Sequence, residues 1–505
     1  MNASPGRRDL FLVAVHFLIP LVIFSLTLLP GTGYRGDTAK FHFLGRILGI
    51  PHSTGYPQYL LLNHLFGLLP WREPAYGQNL LSAILGALAV SLLFLVLRRI
   101  TGDAIVASAA TLTFAFSRRF WSQCIVAEVY ALQVLYFAGT SYLAIRWSQE
   151  REDRWLVATI FLYAISFGNH ASSIFLLPGL FLFMGLVNRT AHCPLPTAHG
   201  LFGARCVAFV LLSLSQYAYL FIRSRSQCPY IEVNIQTIGD FLRFASGAKF
   251  HGRMMGYPWH ELWYTQTHWF LSLFYFQFFL PGCLFAVLGG WKLLCENRAL
   301  FWLTLPGLVL NAIFVAGYRV DDVQVFALPC FFLASFWIAV GMKTFADVFL
   351  PGLLRLSLYS LFPVLMASNW YLVDQSDNVL PQRATERIVS SVPRNSVIIT
   401  EIYQAAHYCR YHLWVKQIRK PEDRVYVAQE WKPEDLAAYL AGSRPLRECG
   451  MKIPVGLEPF FADCPNLFSL KGERFEPVLS YDYPDGRREA ILFRRVTDSQ
   501  RENTS

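Results

Sequence analysis

Charge is what this sequence has little of. Only 15% of its 505 residues are Asp, Glu, Lys or Arg, where a soluble globular chain carries roughly a quarter. The shortfall excludes an ordinary water-soluble domain, because it is concentrated in apolar runs near the ~20 residues that cross a bilayer. CxxC pairs are missing as well. The ten cysteines are scattered, which argues against a zinc site. No lysine/arginine block is present. The formal charge of +10 comes largely from short loops between the runs, where basic residues set topology, and it does not form a nucleic-acid footprint. The first run, Leu10 to Leu29, is followed by "LLPGTGYRGD" without a small-x-small cleavage site. It reads as a retained span rather than a signal peptide. Internal repeats, low-complexity tracts and matched broken helices of the transporter kind are likewise not seen.

What is there is a succession of spans, roughly eleven by the ~20-residue criterion. They fall at 10–29, 79–97, 104–117, 124–145, 155–169, 172–187, 206–222, 268–290, 299–316, 324–342 and 352–371. Those at 104–117 and 155–169 are short, which fits tilted, protein-buried or re-entrant helices. With the N-terminus in the cytoplasm, the short loops on that side all carry Arg or Lys, as the positive-inside rule asks. Two long loops then lie outside, 30–78 and 223–267, with amphipathic pieces such as "IGDFLRFASGAKF" suited to the interface plane. From about Asp374 the character changes. "NSVIIT" and "DRVYVA" read as strands, and "TERIVSSV" and "KPEDLAAYLAG" as helices. The expected fold is a mainly α polytopic bundle over 1–373 and a small extracytoplasmic α/β domain over 374–505. Within that domain Cys449 and Cys464 are either a disulfide or two free thiols.

The ionisable residues near the ends of the apolar runs share one side. Asp37, Lys40 and His52 lie in the first long loop, Glu128 in "FWSQCIVAEVYALQ", His170 in "SFGNHASS", and Arg319, Asp321 and Asp322 in "AGYRVDDVQVFALP". Each has a dull reading alone. Asp37 is a solvated loop acid that Lys40 neutralises at i+3. His52 is a turn residue, His170 a hydrogen-bonded interhelical residue, and Arg319 half of a local ion pair. Glu128 is harder to dismiss, since an ionisable group within a span is costly and usually faces a cavity or a partner. Their shared side suggests one site at the membrane interface.

At these residues the sequence resembles a family of multispan proteins. That family's pattern is an Asp-Ser/Thr-Gly-Glu start and a Leu-Gly-(Ile/Val)-Ala-His-Pro-Pro-Gly-Tyr-Pro turn, here "DTAKF" and "LGIPHSTGYP". Further blocks are "NLLSAILGALAVSLLF", "FWSQCIVAEVYALQ", "FGNHAS" and "YRVDDVQVFALP", in the family's order. The family belongs with the GT-C type membrane glycosyltransferases and includes an animal protein O-mannosyltransferase. The chain departs from it at Ala39, Lys40, Ser53 and Thr54. The family has Gly, Glu, Pro and Pro there.

The resemblance implies transfer of a mannose or similar hexose from a polyprenyl-phosphate carrier to an acceptor hydroxyl on the extracytoplasmic face. Asp37 would be the base. Arg319, then His170 and Lys40, would meet the phosphate. Glu128 and Tyr130 would order the pocket or bind sugar hydroxyls, with His52, Tyr56 and Asp322 also lining it. No metal or cofactor beyond the lipid-linked donor is expected. The partners are membrane lipid, the donor, and a protein, glycan or lipid acceptor. The expected location is a bacterial inner (plasma) membrane. Two other readings stay open. A membrane transporter would place its charges at the bilayer midplane. An inactive membrane scaffold is the reading that Lys40 favours.

Overall fold

A computed structural model describes residues 7–33, 36–191, 200–429, 433–462, 475–482 and 488–495. Cys464 lies outside them, and so does any pairing of it with Cys449. The chain begins with helices α1 (Arg7–Leu26), α2 (Thr38–Ile47), α3 (Pro57–Gly67), α4 (Pro74–Thr101), α5 (Ala104–Ala115), α6 (Arg118–Cys124), α7 (Tyr130–Glu150) and α8 (Asp153–Ser166). Later helices are given by their residues.

Among the described residues, eight helical segments are long and apolar enough to cross a bilayer, not the eleven expected. They are Arg7–Leu26, Pro74–Thr101, Ala171–Arg189, Gly203–Arg225, Trp259–Glu296, Arg298–Gly317, Val323–Phe349 and Gly352–Val373. The chain is thus a multi-pass membrane protein. The three remaining candidates are helical but fail for different reasons. Helix α5 has 12 residues and α8 has 14, short of the ~20 needed. The run 124–145 is not one helix. It breaks over 125–129, after α6 and before α7, and α7 carries Gln133, Arg146 and Glu150 among its apolar residues. Glu128 therefore sits in an irregular connection and not within a span.

Local chemistry sets the boundaries. Pro74 opens α4 at a position where its missing N–H costs nothing. Gly102 closes that helix in the left-handed region (φ +66°), and the Asp103 side chain then caps α5 by accepting from the Ile105 and Val106 amides. Pro57 likewise opens α3. Burial sorts the spans: 72% of the α4 window and 83% of the Val323–Phe349 window are inside the protein, against 17% for α1. The first two form the centre of the bundle, and α1 turns much of its surface to lipid.

Beyond the last span lies a five-stranded sheet with order β2-β1-β5-β7-β6. Its strands are β1 (Ser396–Thr400), β2 (Val425–Gln429), β5 (Glu458–Ala462), β6 (Phe475–Asp482) and β7 (Arg488–Arg495), with β3 (Leu446–Glu448) and β4 (Met451–Ile453) forming a separate pair. Strand β1 is buried throughout and runs parallel to β2 and β5, which is why it reads as a continuous apolar run. Strands β1 and β2 and the helices Leu380–Ser391 and Pro433–Leu440 match the sequence reading. The helix Tyr403–Trp414 had no counterpart in it.

That unforeseen helix docks the C-terminal unit onto α2. Phe43 packs edge-on against Trp414 and at a tilt against His407, with centroids 5.2 and 5.5 Å away. Glu73 gathers three contacts from the same unit: the Tyr411 hydroxyl, Lys416 Nζ at 2.8 Å and Gln382 Nε2 at 2.8 Å. The second long loop is tied in too, by the Ile231 amide donating to the Cys449 carbonyl at 2.8 Å. Arg410, fully buried in the docking helix, pairs with Glu448 and lies 5.3 Å from the Tyr230 ring.

The helix Thr267–Glu296 crosses Leu328–Phe349 at glycines. A β-carbon at Gly341 would lie 1.9 Å from the Phe285 carbonyl oxygen, and one at Gly289 would lie 1.8 Å from that of Trp337. Small residues at such crossings let backbones approach closely. Gly341→Val is therefore expected to lower stability by about 1–3 kcal/mol. Thermal unfolding in detergent checks this, and an unchanged melting temperature would mean the crossing is loose.

Candidate functional site

Asp37 stands immediately before the first residue of α2, at the helix N-terminus, but its own side chain does not cap the helix. The cap comes from elsewhere. The Glu128 carboxylate accepts from the Thr38 hydroxyl at 3.1 Å and from the Asp37 amide. An acid at a helix N-terminus is favourable in charge as well as in hydrogen bonding. With that task done by Glu128, the Asp37 carboxylate points away from its helix and stays 23% exposed.

Three donors hold it. Lys40 Nζ, one turn on in α2, is 3.1 Å from Oδ1. His52 Nε2, in the turn between α2 and α3, is 3.3 Å from Oδ2. The Tyr403 hydroxyl, from the C-terminal unit, donates to Oδ1 at 2.7 Å. Burial pushes the Asp37 carboxyl up. The Lys40 ammonium, then His52 and the Tyr403 hydroxyl, outweigh it and hold the group well below the usual carboxylate range.

Lys40 is itself completely buried. Besides Asp37 it donates to Glu232 Oε2 at 3.1 Å and to His52 Nδ1 at 3.0 Å. An ammonium has three protons and no acceptor, so all its protons are committed. In this arrangement it has none left for a phosphate. Because it can only donate, His52 Nδ1 must accept. The neutral imidazole then carries its proton on Nε2, facing Asp37 and the Tyr56 hydroxyl at 3.1 Å. Burial and the Lys40 charge push His52 down, keeping it neutral. Glu232 comes from the second long loop and also meets Lys249 at 3.3 Å. Burial works against its ionisation, but Lys40, then His52 and Lys249, hold it down to about 2.

The remaining expected residues form a wall beside this cluster. The Tyr56 ring stacks on His170 (5.7 Å, 10° between planes), and His170 contacts Tyr130 at 5.5 Å and Phe326 at 6.0 Å. A narrow recess opens among Tyr130, Gln133, His170, Ser172, Phe326 and Pro329. His170 Nδ1 accepts from the Ser172 amide at 3.0 Å, which leaves its proton on Nε2. Burial pushes it down to about 4. It is uncharged at neutral pH and offers a hydrogen bond, not a cation. Asp322 is solvent-accessible, yet the surrounding protein and then the Asp37 carboxylate raise it to about 6. Asp37 and Asp322 in turn both act on Glu128, which burial raises first.

The structure thus brings Asp37, Lys40, His52, Tyr56, Glu128, Tyr130, His170 and Asp322 into one neighbourhood. Arg319 lies at its rim. It is exposed, its guanidinium is 5.8 Å from the Tyr257 ring, and its amide donates to the Arg253 carbonyl at 2.9 Å. Two participants were not found from sequence, Glu232 and Tyr403. Glu232 stands in the second long loop without a motif. Tyr403 lies 366 residues from its partner, and no local pattern connects them.

Comparison with known proteins follows this geometry. Residues 37–192 match the family described as the protein O-mannosyl-transferase TMEM260 N-terminal domain. The mouse protein O-mannosyl-transferase TMEM260 is 37% identical over 153 residues, 29% of this chain and 21% of that protein. Its Dictyostelium discoideum counterpart is 23% identical over 249 residues, 46% of this chain and 30% of that protein. The matched stretches thus span less than a third of either relative. Across 97% of this chain and 98% of the other, the fold is similar to that of ArnT from Cupriavidus metallidurans. The TM-score is 0.59 at 13% identity for the crystal structure bound to undecaprenyl phosphate and 0.60 at 10% for the apo state. At such identities the likeness is one of fold, a GT-C architecture.

Lys40 is the cation that two nearly buried carboxylates share. Lys40→Met is expected to cost about 3–5 kcal/mol, because it leaves Asp37 and Glu232 close together without the buried cation they share. Adding Glu232→Gln should recover part of that loss. Unfolding of the three variants in detergent at neutral pH checks this. If the double variant is no more stable than Lys40→Met, the sharing is wrong.

Proposed function

We propose that this chain is a membrane glycosyltransferase that moves a mannose or similar hexose from a polyprenyl-phosphate carrier to an acceptor hydroxyl on the extracytoplasmic face. The observation that carries the reading is the Asp37 carboxylate. It is partly exposed and held ionised by Lys40, His52 and Tyr403, beside an aromatic recess at the loop end of a GT-C bundle. The family match over 37–192 and the undecaprenyl phosphate held by the structural neighbour support the donor class.

In the reaction, the acceptor oxygen bonds to the anomeric carbon while the carbon–oxygen bond to phosphate breaks. The electron pair leaves with the polyprenyl phosphate, the acceptor proton passes to Asp37, and the anomeric centre inverts. A phosphate leaving group needs no protonation, so the two-carboxylate scheme of glycoside hydrolases is not required. Asp37 is suited to this work because its donors favour the ionised form while its carboxylate stays partly exposed. Lys40 and His52 orient it. Tyr56, Tyr130 and His170 offer ring faces, hydroxyls and the His170 Nε2–H to the sugar. Developing charge on the phosphate calls for cations. The exposed Arg253 and Arg319, joined by a backbone hydrogen bond, are placed at the rim for that, with Lys249 nearby.

The positive-inside pattern supports this end of the bundle, and the C-terminal unit bonded to it, lying outside the cytoplasm, with α5, α7 and α8 crossing as well as the eight longer segments. A transporter reading loses support, since the charged residues gather at one end and not at the midplane. The scaffold reading rested on Lys40 disabling the site. In the structure Lys40 has its charge compensated by Glu232 and leaves Asp37 partly open.

Asp37→Asn is expected to lower transfer from a mannosyl-phosphoryl polyprenol to a hydroxyl-bearing peptide by about 10²–10⁴-fold. Comparable transfer by the variant would remove Asp37 as base. Arg319→Ala should raise KM for the donor several-fold while the acceptor KM stays near its original value. A rise in the acceptor KM alone would move Arg319 out of the donor site.

A further inference from the structure

Both oxygens of Asp37 are occupied, and the three donors are not equivalent. Lys40 and His52 belong to the same loop as Asp37 and lock one another: Lys40 donates to His52 Nδ1 and is anchored a second time by Glu232. Neither can withdraw without breaking the other's contacts. Tyr403 comes from a different part of the chain. It is the first residue of its helix, half-buried, with its ring edge-on to His407 at 4.2 Å and 5.0 Å from Lys40 Nζ. Its hydroxyl makes the shortest of the three contacts to Asp37, at 2.7 Å.

A base must accept a hydrogen bond from the hydroxyl it deprotonates, at roughly 2.6–3.2 Å. The Tyr403 hydroxyl already makes that bond. We propose that Tyr403 holds the acceptor's seat on Asp37, so that an acceptor hydroxyl enters by replacing the tyrosine hydroxyl between α2 and the C-terminal unit. This rests on Asp37 being the base. Tyr403 itself does not become the acceptor: its ring is fixed on His407 and the neighbouring helix.

The arrangement has a chemical consequence. A lipid-linked sugar resting in the site is exposed to attack by water. In that reaction the water oxygen bonds to the anomeric carbon, the bond from carbon to phosphate oxygen breaks, and the water proton goes to the base. While the Tyr403 hydroxyl holds Oδ1, a water must compete with it to give its proton to Asp37, and the donor is spared. An acceptor that also contacts the C-terminal unit is held against the Tyr403 hydroxyl and can displace it from Asp37, an advantage that a lone water lacks. The C-terminal unit thereby sets which hydroxyls reach the base. Acceptor choice is shared between the first loop and a segment that the family match over 37–192 does not reach.

Tyr403→Phe removes the hydroxyl and keeps the ring; Tyr403→Leu removes both and guards against a ring-packing artefact. Each is compared with the unaltered protein and with Asp37→Asn. Two rates are measured with a mannosyl-phosphoryl polyprenol: sugar release without acceptor, and transfer to a hydroxyl-bearing peptide over a range of concentrations and pH. Both Tyr403 variants are expected to release sugar about tenfold faster and to show a lower acceptor KM, the order expected for one displaced hydrogen bond. The acid limb of the rate profile should also move to higher pH, since the hydroxyl helps keep Asp37 ionised. Unchanged hydrolysis together with a fall in kcat would overturn the proposal and make Tyr403 a residue that merely orients the base. Full transfer by Asp37→Asn would instead overturn the underlying assignment of the base, which keeps the two failures distinct.

Discussion

One buried ammonium organises the loop end of this molecule. Lys40 has no solvent access, so its charge is tolerable only because each proton finds an acceptor. Those acceptors come from three places: Asp37 in the same helix, His52 in the following turn and Glu232 in the second long loop. Satisfying one cation therefore fixes the relative position of both long loops. It also fixes the tautomer of His52 and the ionisation of Asp37. The direction of influence runs from a desolvated charge to the geometry of a reactive carboxylate, rather than from a preformed pocket to its lining.

The second constraint is the start of α2. Its first amides need acceptors, and Glu128 supplies one from the break between α6 and α7. That break gives up helical hydrogen bonds in an otherwise helical bundle. The cost is offset by placing Glu128 under α2 and aiming Tyr130, the first residue of α7, at His170 and Phe326. Glu128 caps α2 and so frees the Asp37 carboxylate from that task, while Lys40 and His52 fix its charge and direction. A carboxylate freed in this way is available for chemistry.

Much of this was legible in the sequence, and the illegible remainder has a physical pattern. The apolar runs located every helix of the bundle, because burial in lipid or protein demands a continuous apolar stretch. They read 124–145 as one unbroken helix because hydropathy does not see where a chain bends. "FWSQCIVAEVYALQ" is apolar on either side of Glu128, yet it folds as helix, break and helix because the Glu128 carboxylate is needed under α2. The one-sided grouping of Asp37, Lys40, His52, Glu128 and His170 was readable, since loop ends are ordered along the chain. Glu232 and Tyr403 were not. Their contacts are made by docking, and the helix that carries Tyr403 reads "YQAAHYCRYHLW". Its buried positions are filled by His407, Arg410 and His412 as well as by apolar residues. Such a pattern has no clear apolar stripe. It becomes intelligible only when Glu448, Tyr230 and Thr385 are in place to meet those groups.

Position 40 now has a different meaning from the one its sequence alone conveyed. In the resembled family a glutamate stands there, and a lysine looked like a lost acid. In the folded chain an acid is present all the same, as Glu232, at 3.1 Å from the Lys40 ammonium. A glutamate at position 40 of this chain would face both Asp37 and Glu232, and three carboxylates so close cannot all ionise. One would be driven to its protonated form, and Asp37, with no cation left beside it, would lose the support that keeps it ionised. Lys40 and Glu232 are therefore a matched pair in this protein. Each explains the presence of the other, and the departure from the family pattern preserves an ionised Asp37 by a different route.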